Sequence, residues 1–168
     1  MKKAFALLLI AILTLSATAF AATYTSDDIR FKYEDAAFEV SFEDRTDDES
    51  TVILSGKDEA WGQTYIRFYV HDLEDGETFP TMKDFPQMPD TTVTQGDWNG
   101  YKDVFMYTIE NDDGTSQSFF IAPVLDEDGE IEDMLTVEIS ITRIEDDEIA
   151  MGRDDLISEV LDTLMVDD

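Results

Sequence analysis

"YIRFYVHDL" (residues 65–73) is the stretch on which the fold turns. Ile66, Phe68 and Val70 alternate with Tyr65, Arg67, Tyr69 and His71. Side chains of an extended strand point to opposite sides at every step, so a period of two predicts one apolar face and one mixed polar face. Two neighbours repeat the pattern. "AFEVSF" (37–42) sets Phe38, Val40 and Phe42 against Glu39 and Ser41. "LTVEISITR" (135–143) sets Val137, Ile139 and Ile141 against Thr136, Glu138, Ser140 and Thr142. "STVIL" (50–54), "DVFMYTIE" (103–110) and "SQSFFIAPVL" (116–125) read as strands with looser alternation. Strands of this kind build an antiparallel sheet with one greasy face.

The connections fit that sheet. Asn99-Gly100, Asp113-Gly114 and Asp128-Gly129 each separate two strand-like runs, and such dipeptides accept the positive φ of tight hairpins. "ETFPTMKDFPQMPD" (77–90) carries three prolines and no clean period, which predicts a short helical turn or an irregular crossover. "RDDLISEVLDTLMV" (153–166) is the one convincing helix. Leu156, Val160 and Leu164 recur every four residues beside Ile157 and Leu161, and Asp154 or Asp155 stands where an N-cap belongs. The apolar stripe is expected on the sheet face carrying Phe68, Val70, Val137 and Ile139. The expected fold is therefore α+β: a twisted antiparallel sheet of about six or more strands, with a C-terminal amphipathic helix on one face.

The N-terminus predicts a compartment. Lys2 and Lys3 precede the apolar run Ala4 to Leu15, and Ala19-Phe20-Ala21 is a small-x-small cleavage site. That is the pattern of a secretory signal peptide over residues 1–21. The run falls short of the roughly 20 residues that span a bilayer, so no membrane insertion is expected after cleavage. The chain contains no cysteine, hence no lipid anchor, no disulfide, no thiol chemistry and no cysteine zinc site. The remaining residues, 22–168, suit a single α+β domain that is secreted to the extracellular space or cell envelope.

Forty acidic residues against eleven basic ones give a formal charge of −29. No basic cluster tracks a phosphate backbone, which argues against nucleic acid. The same acid raises the question of calcium, sharpest in "VLDEDGEIEDML" (124–135). An EF-hand loop needs ligands at positions 1, 3 and 5, glycine at 6 and glutamate at 12. With Gly129 at position 6, Asp126 and Asp128 fit, but Val124 and Leu135 occupy positions 1 and 12. Registers on Gly114 and Gly76 fail likewise, so the acids at 126–130 read as a solvated hairpin tip. Weak divalent-cation binding by carboxylates of neighbouring loops is the form a calcium-responsive envelope or adhesion module takes here. His71 is the only histidine, and no Gly-x-Ser-x-Gly elbow marks a nucleophile for it. A carboxylate-dependent hydrolase ranks last, because among 40 acids some pair falls at any chosen separation. No catalytic residue, metal ligand or cofactor motif is assigned.

The candidate site is the second face of the sheet. Tyr65, Arg67, Tyr69, His71 and Glu138 form its expected binding face, with Met106, Phe120 and Ser140 pointing the same way. Aromatic residues and arginine carry much of the energy of protein interfaces. Whether segment 77–90 covers this face decides how much of it is free.

The layout as a whole resembles the PsbP/Mog1-like group of small exported bacterial proteins. The resemblance rests on "FKYEDAAFEVSF", on "YIRFYVHDL" followed by a proline-bearing crossover, on the Gly-x-x-x-Gly turn pair in "QGDWNGYKDVFMYTIE", on "LTVEISITR" and on the helix ending "LDTLMV". It implies an α/β/α sandwich and a binding or assembly-accessory role, usually without catalysis; the expected partner of an exported chain is an extracellular or envelope protein. Two features depart from the group: the lipoprotein cysteine is missing, and prolines break the crossover where a long helix is expected.

Overall fold

A computed structural model describes residues 21–73, 76–85 and 91–166. The chain runs through β1 (Ala21–Thr25), β2 (Ile29–Glu34), β3 (Phe38–Arg45) and β4 (Glu49–Gly56). A 3-10 turn (Glu59–Trp61) leads to β5 (Tyr65–Asp72). After the crossover come β6 (Thr94–Trp98), β7 (Tyr101–Glu110), β8 (Thr115–Leu125) and β9 (Ile131–Thr142). Helix α1 (Asp147–Asp162) and the short β10 (Met165–Val166) close the described chain.

Seven strands form one antiparallel sheet in the order β3-β4-β5-β9-β8-β7-β6. Two meanders, β3-β4-β5 and β6-β7-β8-β9, meet at the β5–β9 pair. The crossover must therefore carry the chain from the middle of the sheet to its far edge. Asn99 and Gly100 turn β6 into β7 with φ of 48° and 87°, the double positive φ that a two-residue hairpin demands.

The alternation in β5 is realised residue by residue. Ile66, Phe68 and Val70 are buried, while Tyr65, Arg67, Tyr69 and His71 are half-buried on the other side. Leu135 and Val137 of β9 join the same apolar face. That face is covered by two elements. One is α1, through Ile157 and Val160. The other is a three-stranded sheet, β1-β2-β10, which the sequence reading did not anticipate. Ile29 and Phe31 of β2 are fully buried, and the Phe31 ring lies 4.6 Å from that of Phe68. Trp61 closes one end of the core, 5.4 Å from Phe38. A side chain at Gly56 would collide with the Trp61 ring at 2.9 Å.

Three expectations are corrected. First, the helix begins earlier than residue 153. Asp146 is its N-cap, accepting from the backbone N–H groups of Glu148 at 3.0 Å and Ile149 at 3.2 Å. Asp154 and Asp155 lie inside it. Arg153 decides the matter: it is buried and donates to the Thr142 carbonyl at 2.7 Å, tying the helix to the end of β9. Leu164 is buried beyond the helix end, where the chain passes into β10. Second, Phe42 does not share a face with Phe38. A bulge between Val40 and Phe42 shifts the phase of β3 by one residue. Ser41, the extra residue, bonds Ser55 Oγ at 2.6 Å, and Phe42 emerges 48% exposed on the opposite face. Third, Met106 and Phe120 lie on the core side. They face each other across β7 and β8, and Phe120 stacks on Trp98 at 4.5 Å.

Candidate functional site

Strand register lays out the second face in rows. One row crosses six strands as Phe42–Ile53–Arg67–Glu138–Phe119–Tyr107. The next reads Asp44–Thr51–Tyr69–Thr136–Ile121–Phe105. A third brings Glu49, His71 and Met134 together, and a fourth Glu39, Ser55, Tyr65, Ser140 and Gln117. Tyr65, Arg67, Tyr69, His71 and Glu138 thus share one face, and Ser140 lies with them. Phe119, Tyr107 and Phe105 stand where Met106 and Phe120 were expected. The adjacent pair Phe119-Phe120 gives no apolar–polar contrast from which to choose the phase.

Glu138 is the hub. It is 9% exposed, so its carboxylate needs partners. Oε1 accepts from the Tyr65 hydroxyl at 2.6 Å and from Gln117 Nε2 at 3.1 Å. Oε2 lies 3.7 Å from Arg67 Nη1. The Arg67 guanidinium also sits 5.6 Å from the centre of the Tyr69 ring. Tyr69 in turn donates to Glu49 at 2.7 Å. Burial, then the Glu49 hydrogen bond, then its charge push the Tyr69 phenol up to about 12, with Arg67 pulling the other way. Burial and Glu138 raise the Tyr65 phenol above its usual range. Both hydroxyls are therefore hydrogen-bond donors at neutral pH.

His71 stacks against Tyr69, with rings 6.1 Å apart. Its Nε2 is 3.1 Å from Glu77 and its Nδ1 3.6 Å from Glu49. Among the described residues neither ring nitrogen bonds a hydroxyl. Glu77 belongs to the crossover, whose described part, 76–85, folds over one half of the face. Phe79 and Phe85 lie 5.8 and 4.8 Å from Phe105, and Phe85 is 5.9 Å from Tyr107. Tyr107 stacks on Phe119 at 4.8 Å. Phe105 is consequently 2% exposed. Residues 86–90 of the expected cover lie outside the described residues.

Among the described residues the other half is open. A concavity of about 450 Å3 is lined by Phe42, Asp44, Thr51, Ile53, Tyr65, Arg67 and Glu138. Three of the five expected binding-face residues line it; Tyr69 lies beside it under the Arg67 guanidinium, whereas His71 lines a separate hollow with Glu77, Thr78, Pro80 and Met134. The sequence reading missed Phe42 and Ile53, whose apolar side chains sit among the polar ones. A separate hollow of about 320 Å3, with Lys32, Tyr33, Leu156 and Glu159 in its walls, is the seam between β2 and α1.

Of the acids in the hairpin at 126–130, Asp126 is engaged within the turn. Asp126 Oδ1 accepts from the backbone of Asp128 at 2.9 Å and of Glu130 at 2.8 Å. Among the described residues no group of three or more histidines and carboxylates is placed to hold a metal ion. Also among them, no helix is long and apolar enough to cross a membrane. In comparisons with known proteins, no family model, no curated protein and no solved structure matches the chain.

Proposed function

We propose that this chain is an exported, non-enzymatic binding or assembly-accessory domain, and that the open half of its sheet is the contact surface. One observation carries the reading. The described part of the crossover, 76–85, packs on the β7–β8 half of the outer face, and among the described residues nothing covers the concavity around Phe42, Ile53, Tyr65 and Arg67. Large apolar side chains beside an arginine on a sheet face are what protein interfaces use as anchors. The side chains around the concavity are held before any partner arrives. The Tyr65 hydroxyl is held by Glu138 and the Tyr69 hydroxyl by Glu49, and the Arg67 guanidinium lies over the Tyr69 ring. Such preorganisation lowers the entropic cost of binding.

Membership of the PsbP/Mog1-like group, with its α/β/α sandwich, belongs to the same proposal. It is supported by the order of elements: an antiparallel sheet interrupted by one long crossover and closed by a C-terminal helix. Export rests on the leader pattern of residues 1–21. N-terminal sequencing of the protein recovered from the medium or envelope tests it, with Ala22 as the expected first residue.

The contact surface is tested by capture from cell-surface and medium fractions. The double variant Tyr65→Ala, Tyr69→Ala should lose the partner that the unaltered protein retains. Equal capture by both shows that the contact lies elsewhere.

A further inference from the structure

We propose that the open half-face receives a basic polypeptide segment. One cationic side chain of the segment meets Asp44, a second meets Glu138 Oε2, and an apolar side chain between them covers Phe42 and Ile53. This inference rests on the contact-surface reading and adds the chemistry of the partner.

Charge selects the class. The open half presents Glu39, Asp44, Glu49 and Glu138 against Arg67 and His71. Arg67 is turned onto Glu138 and the Tyr69 ring, so its charge is largely answered within the face. The Asp44 carboxylate makes no hydrogen bond or ion pair among the described residues, and it lines the concavity. Glu138 has two short bonds at Oε1, but at Oε2 only the 3.7 Å approach of Arg67. Two acceptors are thus left for donors from outside. The formal charge of −29 disfavours a second copy of this chain and any other polyanion, and it speeds the approach of a cation.

Shape selects the rest. The bulge at Val40/Phe42 turns a phenylalanine out of the core and leaves it 48% exposed next to Ile53. Simple attraction of cations needs no such side chain. A partner carrying both a cation and an apolar group uses both parts of the concavity.

Three short synthetic peptides of equal length test this against the purified protein. The first alternates lysine with phenylalanine and serine. The second replaces every lysine by glutamate, and the third every phenylalanine by serine. Binding is read from amide and side-chain NMR shifts and from dissociation constants. The first peptide should perturb Phe42, Ile53 and Arg67 and bind more weakly as salt screens the charges. The third should bind about tenfold more weakly, and the second not measurably. Phe42→Ser and Asp44→Asn, both at exposed positions, should each weaken the first peptide about five- to tenfold with unchanged melting temperature. Equal binding of the glutamate peptide, shifts spread evenly over the acidic surface, or full affinity in both variants overturns the inference. The two readings fail separately. A native partner that is acidic or neutral yet lost with Tyr65→Ala, Tyr69→Ala refutes the basic-segment inference and keeps the contact surface. A native partner held equally by that double variant refutes the contact surface.

Discussion

The row Phe42–Ile53–Arg67–Glu138–Phe119–Tyr107 crosses six strands, and its two ends meet different surroundings. At the β7 end, Phe85 sits against Tyr107, and with Phe79 it covers Phe105 in the neighbouring row. At the β3 end, Phe42 and Ile53 flank a concavity that none of the described residues covers. Strands on both sides turn large side chains onto this face, β3 only after its bulge. What differs is the path of one connection, which leaves β5 in the middle of the sheet and must reach the far edge at β6. Its described part, 76–85, covers the half toward β7 and β8. An aromatic side chain on this face is therefore core or contact surface according to its strand, not its chemistry.

Substitution can break or sharpen that contrast. The largest effect is expected in the covered half. Phe105→Ala removes a ring that is 2% exposed and in contact with two others, and should cost about 3–5 kcal/mol in denaturant unfolding. The centre of the row comes next. Glu138→Ala strips the Tyr65 hydroxyl and the Gln117 amide of their common acceptor and should cost about 1–3 kcal/mol. Glu138→Gln keeps an acceptor and should cost less. At the open end Phe42→Ser should change stability by no more than about 0.5 kcal/mol, since its side chain already meets water. If Phe42→Ser proves as costly as Phe105→Ala, the two halves are not differently covered.

The smallest effect is a titration. The Tyr69 phenol is pushed up to about 12, so the folded state holds its proton more tightly than the unfolded chain, whose tyrosines ionise near 10. Its contribution to stability is complete below about pH 10 and disappears as the pH climbs from there toward 12. Tyr24 is raised to about 12 as well, chiefly by burial. In phenolate absorbance these two should ionise late, and Tyr69→Phe should remove one late step. Glu49→Gln should move Tyr69 to lower pH, because the carboxylate that holds its proton is gone.

Much of this arrangement was legible in the sequence. Strict alternation in 65–73 and 135–143 assigned the faces of β5 and β9, and with them Tyr65, Arg67, Tyr69, His71 and Glu138. The reading failed where a local pattern is ambiguous or is overridden. Phe119-Phe120 can be phased either way, and only pairing with β7 decides. The bulge at Ser41 leaves no mark in "AFEVSF", whose alternation is perfect on paper, so Phe42 was assigned to the core. Asp154 looks as good a cap as Asp146. The choice falls to Arg153, whose bond to the Thr142 carbonyl links residues brought together only by folding. The β1-β2-β10 sheet was missed for a similar reason: β10 has two residues and exists only by pairing with β2. The path of the crossover over Phe105 depends on strand order, which the alternation does not encode.

Hydroxyl-radical footprinting of the native protein, read residue by residue by mass spectrometry, tests the central contrast most directly. The account predicts heavy labelling of Phe42 with Phe105 protected, and Phe105 labelled only on unfolding. Equal labelling of the two in the native state, or protection of Phe42 with labelling of Phe105, would contradict it.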